Sequence, residues 1–333
     1  MRYLDSPRYT LPKIPLLFTL AGMALAGSFG CTATPAAVID CRAESNNTVT
    51  PTVDGANCPT FAVVGTCGSV TNADIVEASG LAASRKNANV LYTHNDSGDG
   101  ARILAISTSG EYLGTYYIGN APAVDWEDMA IGPGPQSGEN YLYIGDIGDN
   151  DKVRTSVNVI RVEEPLIAAD AAPGVTTLGG EEVFSLVYPD KPHDAETLFV
   201  DSVSGDVFVV VKADSGKSPV FRAAAPLSSA GPITLELVTT LQFGTAPLEG
   251  DFNATGGDMT PDGAGIAIRT YDSAYFWGRK SGASVAEALA FTPCALPLQD
   301  ETHGEALTFA ADGQGYFTLS EGKSQPLYFY ARK

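Results

Sequence analysis

A chain of 333 residues carries 39 Asp and Glu against 20 Lys and Arg, a formal charge of −19. That balance excludes a nucleic-acid-binding surface, which needs basic side chains to neutralise phosphates. The length admits one large domain or two modest ones.

Residues 1–30 read as a signal peptide. Arg2, Arg8 and Lys13 precede the apolar run "IPLLFTLAGMALAGSFG", a charged region followed by a hydrophobic one. The run is short for a spanning helix, and Pro15 and several glycines interrupt it. "ALA" at residues 24–26 suits an ordinary signal peptidase. Cys31 directly after Gly30 resembles the bacterial lipoprotein signal, in which the cysteine becomes the lipidated first residue. Ser28 and Phe29 depart from the usual residues there. Lipid on Cys31 leaves Cys41, Cys58, Cys67 and Cys294, an even number that suits disulfides in an oxidising compartment. The expected product is exported. It is lipid-anchored at the bacterial cell envelope, with secretion as the alternative, and it touches a membrane only through that anchor.

Residues 31–60 are rich in Thr, Ala, Asn and Pro without a period. They read as a flexible tether, pinned by a Cys41–Cys58 bridge. From Phe61 onward, short apolar runs alternate with Gly, Asp, Ser and Pro clusters, and no long stretch keeps a helical period. That pattern is all-β. Five segments align on their first apolar residue: "EASGLAAS", "DWEDMAIG", "DAETLFVD", "TGGDMTPD" and "HGEALTFA". The anchors are Leu81, Met129, Leu198, Met259 and Leu307. After each comes a turn, an apolar strand, a polar loop and a third strand. Four units then show a fourth strand: "YLGTYYIG", "EVFSLVYP", "LELVTTLQF" and "ALAFTPCAL". The fifth unit stops after three strands, at Lys333. The stretch "FAVVGTCGSVTNADIVEAS" ahead of the first anchor can complete it, as circular propellers do to hide an edge. The expectation is a single β-propeller over 61–333. It has five four-stranded blades closed by an N-terminal strand, with six blades as the alternative count. A Cys67–Cys294 bridge would lock that closure.

In a propeller the loops leading into the first strands and those between second and third strands open on one face. This geometry gathers acids and histidines at the central channel. The strand openings bring Glu77, Asp125, Glu127, Asp128, Asp194, Glu196, Asp258 and Glu305 to this face, and the second-to-third loops add acids that include Asp96, Asp146 and Glu321. Oxygen ligands of this kind suit Ca²⁺. His193 and His303 are the candidate general bases. Lys212 and Arg269 could hold an anionic ligand, and Trp126 could stack on a sugar. A competing reading is plain turn chemistry, since Asp, Asn and Gly are what turns require, and a tryptophan beside a blade core is often packing. "NDSGDG" fails as an EF-hand loop because Ile106 fills the required acidic position. Both "GKS" triplets lack the glycine a P-loop needs.

"HGEAL" and "DAETL" resemble the E-G-L strand opening of bacterial propellers of the phytase-like esterase group and, more distantly, the gluconolactonase and regucalcin group. The resemblance implies that the leading glutamate binds a divalent cation in the central channel, so the expected metal set is Glu127, Glu196 and Glu305, with Asp96 and Asp146 nearby. Ser79 and Gly257 stand at the matching places of the first and fourth units, where the pattern departs. Two functions follow as expectations. The first is a binding or interaction protein with an acidic, Ca²⁺-binding central face, acting as a monomer on an envelope protein, a glycan or a small anionic ligand. The second is a divalent-cation-dependent hydrolase of a phosphoester, lactone or glycoside. The residues show no nucleophile–base pair that would decide between them.

Overall fold

The computed structural model describes residues 58–168 and 171–333. The signal peptide, Cys31, Cys41 and nearly all of the tether lie outside the described residues. The described chain is a five-bladed β-propeller. Strand β1 (Phe61–Ser69) comes first. Blade 1 follows as β2 (Ala78–Ala83), β3 (Val90–Asn95), β4 (Arg102–Ser107) and β5 (Tyr112–Ile118). Blade 2 starts with β6 (Trp126–Pro133), β7 (Asn140–Asp146) and β8 (Val157–Glu163). The chain then leaves it to form β9 (Gly174–Leu178) and returns as β10 (Glu182–Val187). Blade 3 contains β11 (Ala195–Val200), β12 (Val207–Val211) and β13 (Lys217–Ala223). A short β14 (Ile233–Thr234) precedes its outer strand β15 (Glu236–Gln242). Blade 4 contains β16 (Ala254–Met259), β17 (Gly265–Thr270) and β18 (Ala274–Gly278). Helix α1 (Val285–Leu289) leads into its short outer strand β19 (Cys294–Leu296). Blade 5 is β20 (Gly304–Phe309), β21 (Gly315–Ser320) and β22 (Pro326–Arg332), completed by β1.

The closure is the expected one: β1 pairs antiparallel with β22, from Phe61 opposite Arg332 to Ser69 opposite Pro326. Two other features are not expected from the sequence. β9 pairs parallel with β5, and β14 pairs parallel with β10. Blades 1 and 2 therefore carry a fifth strand, each supplied by the following unit. These strands account for the extra length of the second and third units. The fourth strand of blade 4 also differs. "ALAFTPCAL" yields only three strand residues, because Ser284 and Glu287 form a reciprocal capping box that starts α1 just before it.

The core is divided among the blade interfaces. Tyr92, Ile103, Met129 and Ile144 fill the interface of blades 1 and 2, and Phe184, Leu198, Val209 and Phe221 fill that of blades 2 and 3. The inner strands β2, β11, β16 and β20 are buried throughout, and β6 at all but its last residue. Each inner strand also presents an unpaired backbone edge to the axis, which needs partners. Two acids supply them. Asp128 of β6 accepts the N–H groups of Met129 (2.8 Å), Leu198 of β11 (2.9 Å) and Gly257 of β16 (3.1 Å). Asp258 of β16 accepts the Phe309 N–H and the Thr308 hydroxyl of β20, both at 2.9 Å. Thr308 Oγ1 in turn accepts the Ala83 N–H of β2 at 3.1 Å. The hydrogen bonds thus run from blade 2 through blades 3, 4 and 5 to blade 1.

The disulfides differ from expectation. Cys58 pairs with Cys294, 236 residues away, with Cα atoms 5.6 Å apart. This joins the segment ahead of β1 to the outer strand of blade 4. Cys67 cannot serve there. It lies nine residues further along an extended chain, roughly 30 Å at strand rise, and is buried with Leu327 and Phe329. Cys67 is itself disulfide-bonded. The expected Cys41–Cys58 bridge is excluded because Cys294 takes Cys58.

Two outcomes test this account. Replacing Cys58 and Cys294 together by Ser should cost about 2–5 kcal/mol in denaturant unfolding, because a long loop is released in the unfolded chain. An unchanged midpoint would mean that β1 alone secures the ring. Asp128→Ala should cost about 3 kcal/mol or more, since it strands buried N–H groups on three inner strands. A loss below about 1 kcal/mol would show that the axial hydrogen bonds do not hold the ring.

Candidate functional site

Every inner strand breaks register one residue after its start. The displaced residues are Ser79, Glu127, Glu196, Thr255 and Glu305. A β-bulge re-aims the side chain it carries, and five equivalent bulges put five buried side chains on one ring around the channel. The structure corrects the fourth member, which is Thr255 and not Gly257. Aligning "TGGDMTPD" on Met259 shifts blade 4 by two residues. A two-residue slip keeps the in–out alternation of a strand, so the pattern alone does not reveal it.

A second layer stands over the bulges, on the residues that follow each second strand. The Asp96 N–H bonds the Glu77 carbonyl, Lys212 bonds that of Asp194, and Glu321 bonds that of His303, at 2.9–3.0 Å. In blade 2 the corresponding bond runs from Gly148 to Asp125 at 3.2 Å. A side chain at Gly148 would collide with the carboxylates of Glu127 and Asp125. Its glycine leaves that space to them. Beneath this layer the leading loops are clipped in place. Asn95 Oδ1 accepts the Val76 and Glu77 N–H groups, Asp146 Oδ1 accepts those of Val124 and Asp125, and Ser320 Oγ accepts that of His303.

The result is a concentrated negative site. Asp96, Asp125 and Glu127 each offer a carboxylate oxygen, and these atoms lie within 4.8 Å of one another. Burial, then the charges of Glu196, Asp96, Asp125 and Glu305, hold the Glu127 pKa well above the usual carboxylate range. Burial and the nearby Glu196 and Glu321 push Glu305 up to about 9. Burial pushes Glu196 up to about 8 against the opposing pull of Lys212. Asp125 rises to about 6 by burial and the charges of Asp96 and Asp194. Asp96 and Glu321 are raised by burial as well. Lys212 Nζ bonds Glu196 Oε1 and, at 3.0 Å, the Tyr271 hydroxyl. His303 is exposed at the rim, its ring 6.3 Å from that of Tyr271.

The structure brings Asp96, Glu127, Glu196, Glu305, Lys212 and His303 to this mouth. It places four other candidates elsewhere. The His193 ring packs on Tyr188 and Phe221, with centroids 4.9 and 5.4 Å away, and Nε2 meets Asp190 at 3.0 Å. It belongs to the interface of blades 2 and 3. Asp146 is buried against Arg154 at 2.9 Å and spends its oxygens on the clipped loop and Asn158. Arg269 is fully buried on Glu301 at 2.8 Å and donates to the Ala306 and Tyr271 carbonyls. Its guanidinium fills the space a side chain at Gly304 would need, so it positions blade 5 rather than a ligand. Trp126 is buried, donates to the Pro122 carbonyl at 2.8 Å and meets His94 edge-on. Asp125 and Glu321, acids expected on this face but outside the expected metal set, join the site, and Tyr271 joins it without a sequence signal.

No protein-family model matches the sequence, and a search of curated proteins finds no match. Among solved structures, an auxiliary nutrient binding protein from Bacteroides thetaiotaomicron VPI-5482 is similar at a TM-score of 0.40 and 11% identity, over 77% of this chain and 57% of that one. This chain thus spans just over half the length of that protein. Of the resemblance expected from the strand openings, the structure shows the propeller. The esterase and gluconolactonase likeness remains with the motifs.

The electrostatics set a pH dependence. The folded state keeps Asp125, Glu196 and Glu305 protonated to about 6, 8 and 9, whereas the unfolded chain releases those protons near pH 4. The unfolded state therefore binds fewer protons through this window, and stability falls as pH rises. Melting in EDTA should move down steadily between pH 5 and pH 9. A flat or rising profile would show that the carboxylates do not crowd one another.

Proposed function

We propose that this is an exported propeller that binds one divalent cation at the acidic mouth, with Ca²⁺ the first candidate, and uses that face as a binding platform. The observation that carries the reading is the trio Asp96, Asp125 and Glu127, whose oxygens lie within 4.8 Å of one another, with Glu196 and Glu305 buried beside it. Carboxylates that repel at this range need protons or a cation to offset them. A hard ion with oxygen ligands fits the donors. With open positions on such an ion and His303 exposed beside it, the partner would be an anionic small ligand, a glycan or an envelope protein. Export with lipid on Cys31 rests on the leader sequence, and the Cys58–Cys294 bridge suits an oxidising compartment. Among the described residues, no helix is long and apolar enough to cross a membrane.

A second reading is a cation-dependent hydrolase of a phosphoester, lactone or glycoside. His303 favours it, as an exposed imidazole at the rim of the same site that could take a proton from ion-activated water.

The test is thermal. A ligand that binds only the native state stabilises it by about 2.7 kcal/mol at one hundred times its Kd. Excess Ca²⁺ should raise the melting temperature at pH 8 over that in EDTA, and Asp96→Asn with Glu127→Gln should abolish the rise. If the double variant keeps the full shift, the ion sits elsewhere. If Ca²⁺ also supports turnover of one substrate class and His303→Ala abolishes it, the hydrolase reading replaces the platform.

A further inference from the structure

A separate cavity opens on the face opposite the acidic mouth, at the seam where blade 5 meets blade 1. It encloses about 240 Å³. Residues of the turns after β2, β4 and β20 line it. Its floor is apolar: Ala83, Leu91, Ala310 and Phe317 are all buried in the core of this seam. The cavity has a cause in the sequence. Four residues after its bulge, each inner strand turns a side chain into the interface with the preceding blade. Blades 2 to 5 have Ile131, Val200, Met259 and Phe309 there, each in the core of its own interface. Blade 1 has Ala83. Interiors are close-packed, so a side chain several carbons short leaves a void. Here the void reaches the surface.

The lip is polar. Asn89, Thr108 and Asp312 line it, and Asp312 is the only charged lining residue. The lip is also held in shape. The Thr108 N–H bonds the Asn89 carbonyl at 3.0 Å, and Asp312 Oδ1 accepts the Gln314 N–H at 2.9 Å.

We propose that this seam cavity is a second ligand site, for a ring-sized apolar molecule with a hydrogen-bond donor, ammonium or hydroxyl, at one end. An apolar cavity of about 150 Å³ takes up benzene, and the larger space here admits a ring with a short substituent. Small-molecule sites combine an apolar body with a few placed polar groups. Here the floor takes the ring and the lip takes the donor. The Asp312 carboxylate favours a cationic end over an anionic one. The site shares no residue with the acidic mouth and does not depend on the cation reading.

Ligand-observed NMR on the full-length protein in EDTA tests this, with benzylamine, phenol and benzoate as probes at millimolar concentration. Benzylamine and phenol should bind, and benzoate should bind more weakly than either. Asp312→Asn should weaken benzylamine by about fivefold, the most that an exposed charge pair contributes, and leave phenol unchanged. Ala83→Ile gives blade 1 the residue that blade 2 has. It should raise the melting temperature, as filling a cavity does, and abolish binding of both probes. Ala311→Leu blocks the opening from an exposed position on the same lip, and it decides the question should Ala83→Ile not fold. No binding of any probe to the wild type overturns the proposal. So does binding that survives in the folded filling variants. Benzoate binding as tightly as benzylamine overturns the ligand class.

Discussion

The closed ring of five inner strands is the constraint on which the rest depends. A propeller packs its inner strands side by side around a narrow axis, so their free backbone edges face one another with no sixth element to pair with. Asp128, Asp258 and Thr308 resolve this by accepting N–H groups from neighbouring blades. Once the ring is closed, any residue repeated at one level of the inner strands is repeated around a small circle. The bulges at Ser79, Glu127, Glu196, Thr255 and Glu305 do this. Three glutamates that are unremarkable in separate segments become crowded neighbours.

That crowding has an electrostatic cost which the protein does not relieve with hydrogen bonds alone. Buried carboxylates normally pair with a cation or take up protons. Here Lys212 neutralises one of them, and Arg154 lies beneath on Asp146. The buried ion pair of Arg269 with Glu301 supports the chain leading to His303 and Glu305 without facing the channel. Basic side chains are thus present around the mouth but mostly committed to structure, and the carboxylates of the open half are left to hold protons or take a cation. A cation is the ligand this leaves room for.

Much of this was legible before the structure, and the failures have physical causes. Five units and closure by residues ahead of Leu81 follow from strand periodicity and from the missing fourth strand at Lys333. Glu127, Glu196 and Glu305 are readable because they precede equivalent anchors. Thr255 was not, because a two-residue slip in blade 4 preserves which side chains face inward. β9 and β14 were hidden because a parallel edge strand has no hairpin turn to announce it. The Cys58–Cys294 pairing depends on how far β1 runs along β22, which no spacing between cysteines encodes. His193, in the loop ahead of β11, and Arg269, near the end of β17, carry the right chemistry close to the mouth. Their side chains turn toward Tyr188 and Glu301, and that choice is made by packing between blades.

The central claim is that the acidic mouth is a cation site, and diffraction tests it most directly. Crystals grown with Mn²⁺ in place of Ca²⁺ should show a single anomalous peak at the channel mouth, coordinated by carboxylate oxygens of Asp96, Asp125 and Glu127 at roughly 2.1–2.5 Å, the oxygen-ligand range for such ions. Anomalous maps with no peak there, at an Mn²⁺ concentration well above millimolar, would contradict the account. The carboxylates would then be held apart by protons alone.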